Sequence, residues 1–168
     1  MNGFGRGICA IISSDFSKLI MSKDIPKTKR YAWLSTTIML VFALSLCSIL
    51  YPNRVFLAEI LINDKDIHPY IEQQFLAFLA YFFAIVFIYT IYGFVRGLGK
   101  EKTFVPIMIF LYALSIFVFV LLYLIDVGQN SIYYGIIFGE AFSAIVGIVI
   151  IGLADWRKEA DDIVKQSE

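Results

Sequence analysis

The residue with the clearest capacity for chemistry is Glu140, the one acid in the apolar segment YYGIIFGEAFSAIVGIVIIG from Tyr133 to Gly152. This segment contains no Lys or Arg. A charged carboxylate at the centre of a bilayer costs about 3 kcal/mol or more, so such acids face protein or water and often handle protons or cations. We therefore expect a neutral Glu140 that donates a hydrogen bond. Its role is either to fix helix packing or to respond to protons or cations.

Small residues recur beside Glu140 at every fourth position, and we call them the small-residue ridge. They are Gly135, Gly139, Ser143 and Gly147. On an α-helix these positions drift over an arc of about 120°. A ridge of this kind lets the backbone of a second membrane helix come close. The ridge therefore predicts a packing face, with Glu140 at its edge and turned toward protein.

The depth of Glu140 suggests which residues could meet it. Glu140 lies nine residues from the predicted outer end of its span, which is about 14 Å along a helix. It is therefore near the middle of a hydrocarbon core about 30 Å thick. Tyr81, Ser115 and Ser45 fall at similar depths in the three other predicted spans. Together with Glu140 they form a predicted intramembrane polar site.

A polar stripe on the second predicted span supports this site. Its members fall within an arc of about 80° on a helical wheel; they are Gln74, Tyr81, Tyr89, Tyr92 and Arg96. We expect the polar stripe to face the interior of the helix bundle. Tyr81 is then the favoured hydrogen-bond partner of Glu140, with Ser45 and Ser115 next.

Other residue patterns offer no catalytic or cofactor site. His68 is the only histidine and is predicted outside the membrane, and Cys9 and Cys47 are far apart in the sequence. Zinc sites usually need several Cys or His ligands. The stretch GFVRGLGKE from Gly93 to Glu101 is superficially similar to a P-loop, but Glu101 stands where Ser or Thr is required. We expect no enzyme activity, no metal and no cofactor.

Four apolar runs must position these residues. They are residues 31–51, 74–95, 104–125 and 131–154, and each reaches the roughly 20 residues that a membrane helix needs. Apolar residues make up 60% of the chain, against about 45–50% in soluble domains. The sequence predicts an all-α polytopic membrane protein, with a four-helix transmembrane bundle over residues 31–154.

The positions of the basic residues predict the orientation of the spans. Of 14 Lys and Arg residues, all but Arg54 and Lys65 lie on one predicted side. Basic residues favour the cytoplasmic side, so both termini, including the tail 155–168, are expected there. The outer loop 52–73 is acidic, either because acids are tolerated outside or because it binds a partner or cation. The chain has no net charge and no basic stripe, which argues against nucleic-acid binding.

The N-terminal arm, residues 1–30, has apolar residues at helical spacing: Ile8, Ile12, Phe16, Leu19 and Ile20. This pattern predicts an amphipathic helix on the cytoplasmic membrane surface, although a helix that docks on a partner protein fits it too.

Two functions remain open from the sequence. The leading hypothesis is a non-enzymatic accessory subunit or an immunity or exclusion protein, which packs through the small-residue ridge against a membrane partner. The alternative is an oligomeric small transporter or channel subunit in which Glu140 responds to protons or cations. Either would contact the lipid bilayer and a membrane protein or a second copy of itself. The expected location is a bacterial inner membrane.

Overall fold

The computed structural model describes residues 2–61, 68–125 and 131–167, and all regular structure in these ranges is helical. The seven helices are α1 Asn2–Met21, α2 Ile25–Leu50, α3 Arg54–Leu61, α4 His68–Gly97, α5 Glu101–Leu124, α6 Ser131–Leu153 and α7 Trp156–Ser167. Asp64 and Asp66 of the acidic loop, and most of the predicted outer turn DVGQNS, lie outside the described residues.

The predicted fold class is confirmed, because α2, α4, α5 and α6 are each long and apolar enough to cross a membrane. Their neighbours follow the order α2, α4, α6, α5, with the closest packing between α5 and α6 and between α4 and α6. The backbones of α4 and α5 are close only next to the tight hairpin that joins them, where Tyr92 of α4 contacts Glu101 and Phe104 of α5. The four spans therefore form a row in this order.

Local signals explain where several helices begin and end. The Asp24 carboxylate accepts a hydrogen bond from the backbone N–H of Lys27 at 3.2 Å, and Pro26 occupies the first turn of α2. The Asp24 cap satisfies a donor that would otherwise be free. At the hairpin between α4 and α5, Gly99 has φ +71°, a conformation that suits glycine. α2 and α5 consequently start at Ile25 and Glu101, earlier than the predicted spans.

Helix α1 packs along α4. Its apolar face is buried, with Phe16 and Ile20 fully covered. Phe16 contacts the rings of Phe94 and Trp156, at centroid distances of 5.1 Å and 5.6 Å. The other end of α1 reaches the second half of α2, where the ring of Phe4 lies 5.9 Å from the ring of Phe42.

The close contact of α1 with α4 depends on glycines, two of which lie in the stretch that is superficially similar to a P-loop. A Cβ at Gly93 would lie 2.9 Å from Ile12, and one at Gly97 would lie 2.9 Å from the Phe16 ring. A Cβ at Gly5 would overlap the ring of Tyr89. Gly93 and Gly97 thus form a flat surface on α4, and Gly5 lets α1 approach Tyr89, so the apolar face of α1 is covered by protein.

The small-residue ridge of α6 is used within the chain. Gly135 and Gly139 face α5, where added Cβ atoms would lie 2.7 Å from Phe119 Cβ and 2.9 Å from Ser115 Cβ. Gly147 faces Ile91 of α4 and, more distantly, Phe104 of α5. The drift of a four-residue spacing around the helix explains why one end of the ridge meets α5 and the other meets α4.

We expect Gly135→Ala to lower the free energy of unfolding by about 1–3 kcal/mol, because the added methyl overpacks a contact that includes backbone. The backbone carbonyl oxygen of Ser115 would be only 3.0 Å from the new Cβ. Reversible unfolding in mixed detergent micelles measures the change. The matched control is Gly152→Ala, where nothing lies within 4 Å and the better helix propensity of Ala should leave stability equal or slightly higher. Equal effects of the two substitutions would contradict the packing described for the ridge.

Candidate functional site

Glu140 is buried between α5 and α6, with 6% of its surface exposed. The Tyr112 hydroxyl donates a hydrogen bond to Glu140 Oε1 at 2.9 Å. The second oxygen, Oε2, is buried and has no hydrogen-bond partner among the described residues. A buried carboxyl group with one free oxygen can accept another donor, bind a cation or hold a proton.

The backbone contact of α5 with α6 positions this pair. Gly139 sits directly against Ser115, which brings the two helices close one residue before Glu140. The Ser115 hydroxyl donates to the backbone carbonyl of Tyr112 at 2.7 Å, so it is turned to its own helix. Ser115 therefore supports the site by its small size, and Tyr112 supplies the hydrogen bond.

Tyr112 was not among the predicted site residues, and the reason is the position of the α5 start. The predicted span began at Phe104, but α5 begins three residues earlier, at Glu101. The residue predicted to lie at the middle of the membrane was therefore Ser115, about three residues too far along α5, and Tyr112 was missed. The hairpin glycine at position 99 was the signal that could have placed the helix start correctly.

The other two predicted partners occupy different places. Tyr81 packs beside Tyr133, with ring centroids 6.3 Å apart, and it is close enough to Glu140 to interact electrostatically. Ser45 is exposed on α2, a helix separated from α6 by α4. The structure thus brings Tyr81 near the acid and leaves Ser45 on the outer side of the row.

The polar stripe divides along the length of α4. At the end that carries the termini, Tyr92 donates to Glu101 Oε1 at 3.0 Å, and Arg96 Nε lies 3.6 Å from Glu101 Oε2. Tyr89 is further into the membrane and packs against Gly5 of α1. Gln74 lines a cavity near the outer end. The stripe therefore borders two separate spaces.

The inner of these spaces, which we call the tyrosine cleft, separates α4 from α5. It has a volume of about 330 Å³, and its lining comprises Arg6, Ile88, Tyr89, Tyr92, Val105, Met108, Ile109 and Tyr112. Three tyrosine rings and one guanidinium give the cleft polar edges on an apolar wall. Tyr112 is the link between the cleft and Glu140, because it lines the first and binds the second.

A second space, the outer cavity, has a volume of about 340 Å³. It is lined by Gln74, Phe119, Tyr123, Ser131, Ile132 and Tyr133. Tyr133 is two helical turns from Glu140, which is about 10 Å along α6. Glu140 is thus placed between the outer cavity and the tyrosine cleft.

Ser143 adds a second unsatisfied polar group to the same face of α6. Its side chain is fully buried, and its hydroxyl oxygen has no hydrogen-bond partner among the described residues. Unpaired polar groups of this kind are expensive in a protein interior and call for an explanation. In the described ranges, no group of three His, Cys, Asp or Glu side chains is arranged to hold a metal ion.

Comparison with known proteins gives one family. The family model MatE matches residues 4–123, which comprise almost all of α1 and the whole of α2 to α4, together with nearly all of α5. The match includes Tyr112 and every residue of the tyrosine cleft, whereas Glu140 and the outer cavity residues of α6 lie beyond it. No curated protein matches the chain.

We expect Tyr112 and Glu140 to be energetically coupled. In a double-mutant cycle with Tyr112→Phe and Glu140→Met, the coupling in the free energy of unfolding should be about 0.5–2 kcal/mol, as for other hydrogen bonds between membrane helices. The same cycle with Tyr123→Phe is the control, since Tyr123 is 65% exposed. Coupling of equal size in both cycles would refute the assigned hydrogen bond.

Proposed function

We propose that this chain, which belongs to the MatE family, acts in the transport of small molecules across the membrane. MatE is a family of multidrug and toxic compound extrusion transporters and not of enzymes. The observation that carries the proposal is the match over residues 4–123, more than two thirds of the chain. The four apolar helices and the family agree on an integral membrane protein.

The leading sequence hypothesis, an accessory or immunity protein, was therefore wrong, and the family match overturns it. That hypothesis relied on the small-residue ridge as a surface for a foreign helix. The ridge is already covered by α4 and α5 of the same chain. Its small residues are therefore explained by contacts within the chain and do not require a partner protein.

The tyrosine cleft is the proposed binding space for the transported molecule. Its volume of about 330 Å³ is at the lower end of the range for small-molecule sites. Tyrosine faces attract flat aromatic groups and cations. We therefore infer a small, largely apolar substrate with an aromatic or cationic group.

Glu140 is the proposed proton- or cation-responsive group of this transporter. Support comes from its burial, from its free Oε2 atom and from its hydrogen bond to Tyr112 in the wall of the cleft. Loss or gain of a proton changes whether the carboxyl group donates or only accepts hydrogen bonds. A change at Glu140 would thereby reach the cleft through the Tyr112 side chain.

The four spans form a row, and self-association or association with another membrane protein is proposed to complete the pathway. Support comes from the arrangement of the spans, in which α2 and α5 stand at opposite ends of the row. The proposed location is a bacterial inner membrane, supported by the gathering of Lys and Arg at the end that carries both termini.

Transport by purified protein in liposomes tests this function. We expect an imposed pH gradient to drive accumulation of ethidium, used as a flat aromatic cation, while an enclosed pH-sensitive dye reports proton movement the other way. Glu140→Gln should reduce pH-driven accumulation at least about tenfold, because an amide cannot exchange a proton. A parallel assay with a Na⁺ gradient at constant pH distinguishes cation coupling from proton coupling.

The matched control is Glu59→Gln, since Glu59 is an exposed acid on α3. This variant should transport at the rate of the unchanged protein. If Glu140→Gln retained full transport driven by either gradient, the role of Glu140 would be excluded while transport itself stood. Absence of any gradient-driven flux of ethidium in the unchanged protein would contradict the proposed substrate class.

A further inference from the structure

A third cavity, which we call the basic cavity, lies far from Glu140 at the end that carries the termini. It has a volume of about 510 Å³ and is formed by the start of α2 and the junction of α6 with α7. Its lining comprises Ile25, Lys29, Ile151, Gly152, Ala154, Asp155, Trp156 and Arg157. Ile151 is eleven residues from Glu140, or about 16 Å along the helix, so the two sites are separate.

The two cations of the basic cavity differ from most of their neighbours. Lys23 pairs with Asp161, Lys27 with Asp24, and Lys100 with Glu159. Among the side chains that the structure describes, no carboxylate pairs with Lys29 or Arg157. The contact recorded for the Lys29 ammonium is with the Trp156 ring, 5.9 Å from its centroid.

The one acid of the cavity is directed toward backbone donors. Asp155 Oδ1 accepts hydrogen bonds from the backbone N–H groups of Arg157 at 3.1 Å and Lys158 at 3.4 Å. It thereby caps the start of α7. The charge of Asp155 is thus partly offset by the helix terminus, which leaves Lys29 and Arg157 as the available charges of the cavity.

The Trp156 side chain, which forms the wall of the basic cavity beside Lys29, is held in place. Trp156 Nε1 donates to the backbone carbonyl of Ile151 at 2.9 Å, and the indole packs edge-on against Phe16 at 5.6 Å. The Trp156 side chain is consequently preorganised, which reduces the entropic cost of packing a ligand against it.

The surroundings of the cavity identify the class of ligand. Ile25 and Ile151 belong to helices that cross the membrane, and the adjoining Leu153 is 82% exposed at the end of its span. A ligand in this place meets cations on one side and the ends of lipid chains on the other. Basic pockets between membrane helices on this side are suited to anionic lipid head groups.

We propose that the basic cavity binds the phosphate group of an anionic phospholipid, with Lys29 and Arg157 as the cationic ligands and Trp156 as the wall. The phosphodiester would lie between the ammonium and the guanidinium, while its acyl chains extend along Ile25 and Ile151. A free phosphate ion could satisfy the cations but would leave this apolar border unused.

Native mass spectrometry of the full chain in mild detergent tests the proposal. Phosphatidylglycerol and phosphatidylcholine are titrated separately, and the apparent affinity for phosphatidylglycerol should be higher. Lys29→Gln and Arg157→Gln should each weaken binding of phosphatidylglycerol about fivefold, which corresponds to one cation near an anionic head group. Lys29→Arg should retain binding because it keeps the charge.

Lys27→Gln is the matched control, because it removes a charge two residues away on the same helix from a lysine already paired with Asp24. It should change the affinity less than about twofold, below the effect of one lipid-binding cation. Equal affinity for both lipids, or equal effects of Lys27→Gln and Lys29→Gln, would overturn the proposal. Displacement of phosphatidylglycerol by millimolar inorganic phosphate alone would also overturn it and indicate a site for a soluble phosphate.

Discussion

The close approach of α5 to α6 through glycine and serine is the contact on which the rest of the arrangement depends. Because Gly135 and Gly139 have no side chains, α5 comes within reach of the α6 backbone. This approach brings Tyr112 to Glu140, and α5 is separated from α4 beyond the contacts next to their hairpin. The tyrosine cleft is the space that results. The contact between α5 and α6 therefore accounts for both the Tyr112–Glu140 hydrogen bond and the tyrosine cleft beside it.

Much of the fold could be predicted because membrane helices follow from length and apolar content alone. The small-residue ridge and the burial of Glu140 could also be inferred from a single helix. The partner of Glu140 could not, because it depends on where α5 begins, and the α1 contact depends on glycines of a distant helix. A helical wheel describes which residues share a face, but it does not say which helix covers that face. The sequence therefore favoured an external partner for a ridge that α4 and α5 cover.

The tyrosine cleft, Glu140 and the basic cavity occupy different parts of the chain. The tyrosine cleft lies within the region that matches the MatE family, and Glu140 is attached to it from outside that region by one hydrogen bond. The basic cavity lies at the membrane boundary and shares no residue with either. The proposed transport and the proposed lipid binding accordingly depend on different residues, so each has its own measurement.

The ion pairs of α7 have a consequence for how firmly this helix is held. Lys23 joins Asp161 to the end of α1, and Lys100 joins Glu159 to the hairpin between α4 and α5. The exposed pair Lys23–Asp161 is weak and is screened by dissolved ions, whereas the partly buried pair Lys100–Glu159 and the burial of Ala160 depend less on salt. The attachment of α7 should therefore loosen as ionic strength rises, while the helices within the membrane keep their places.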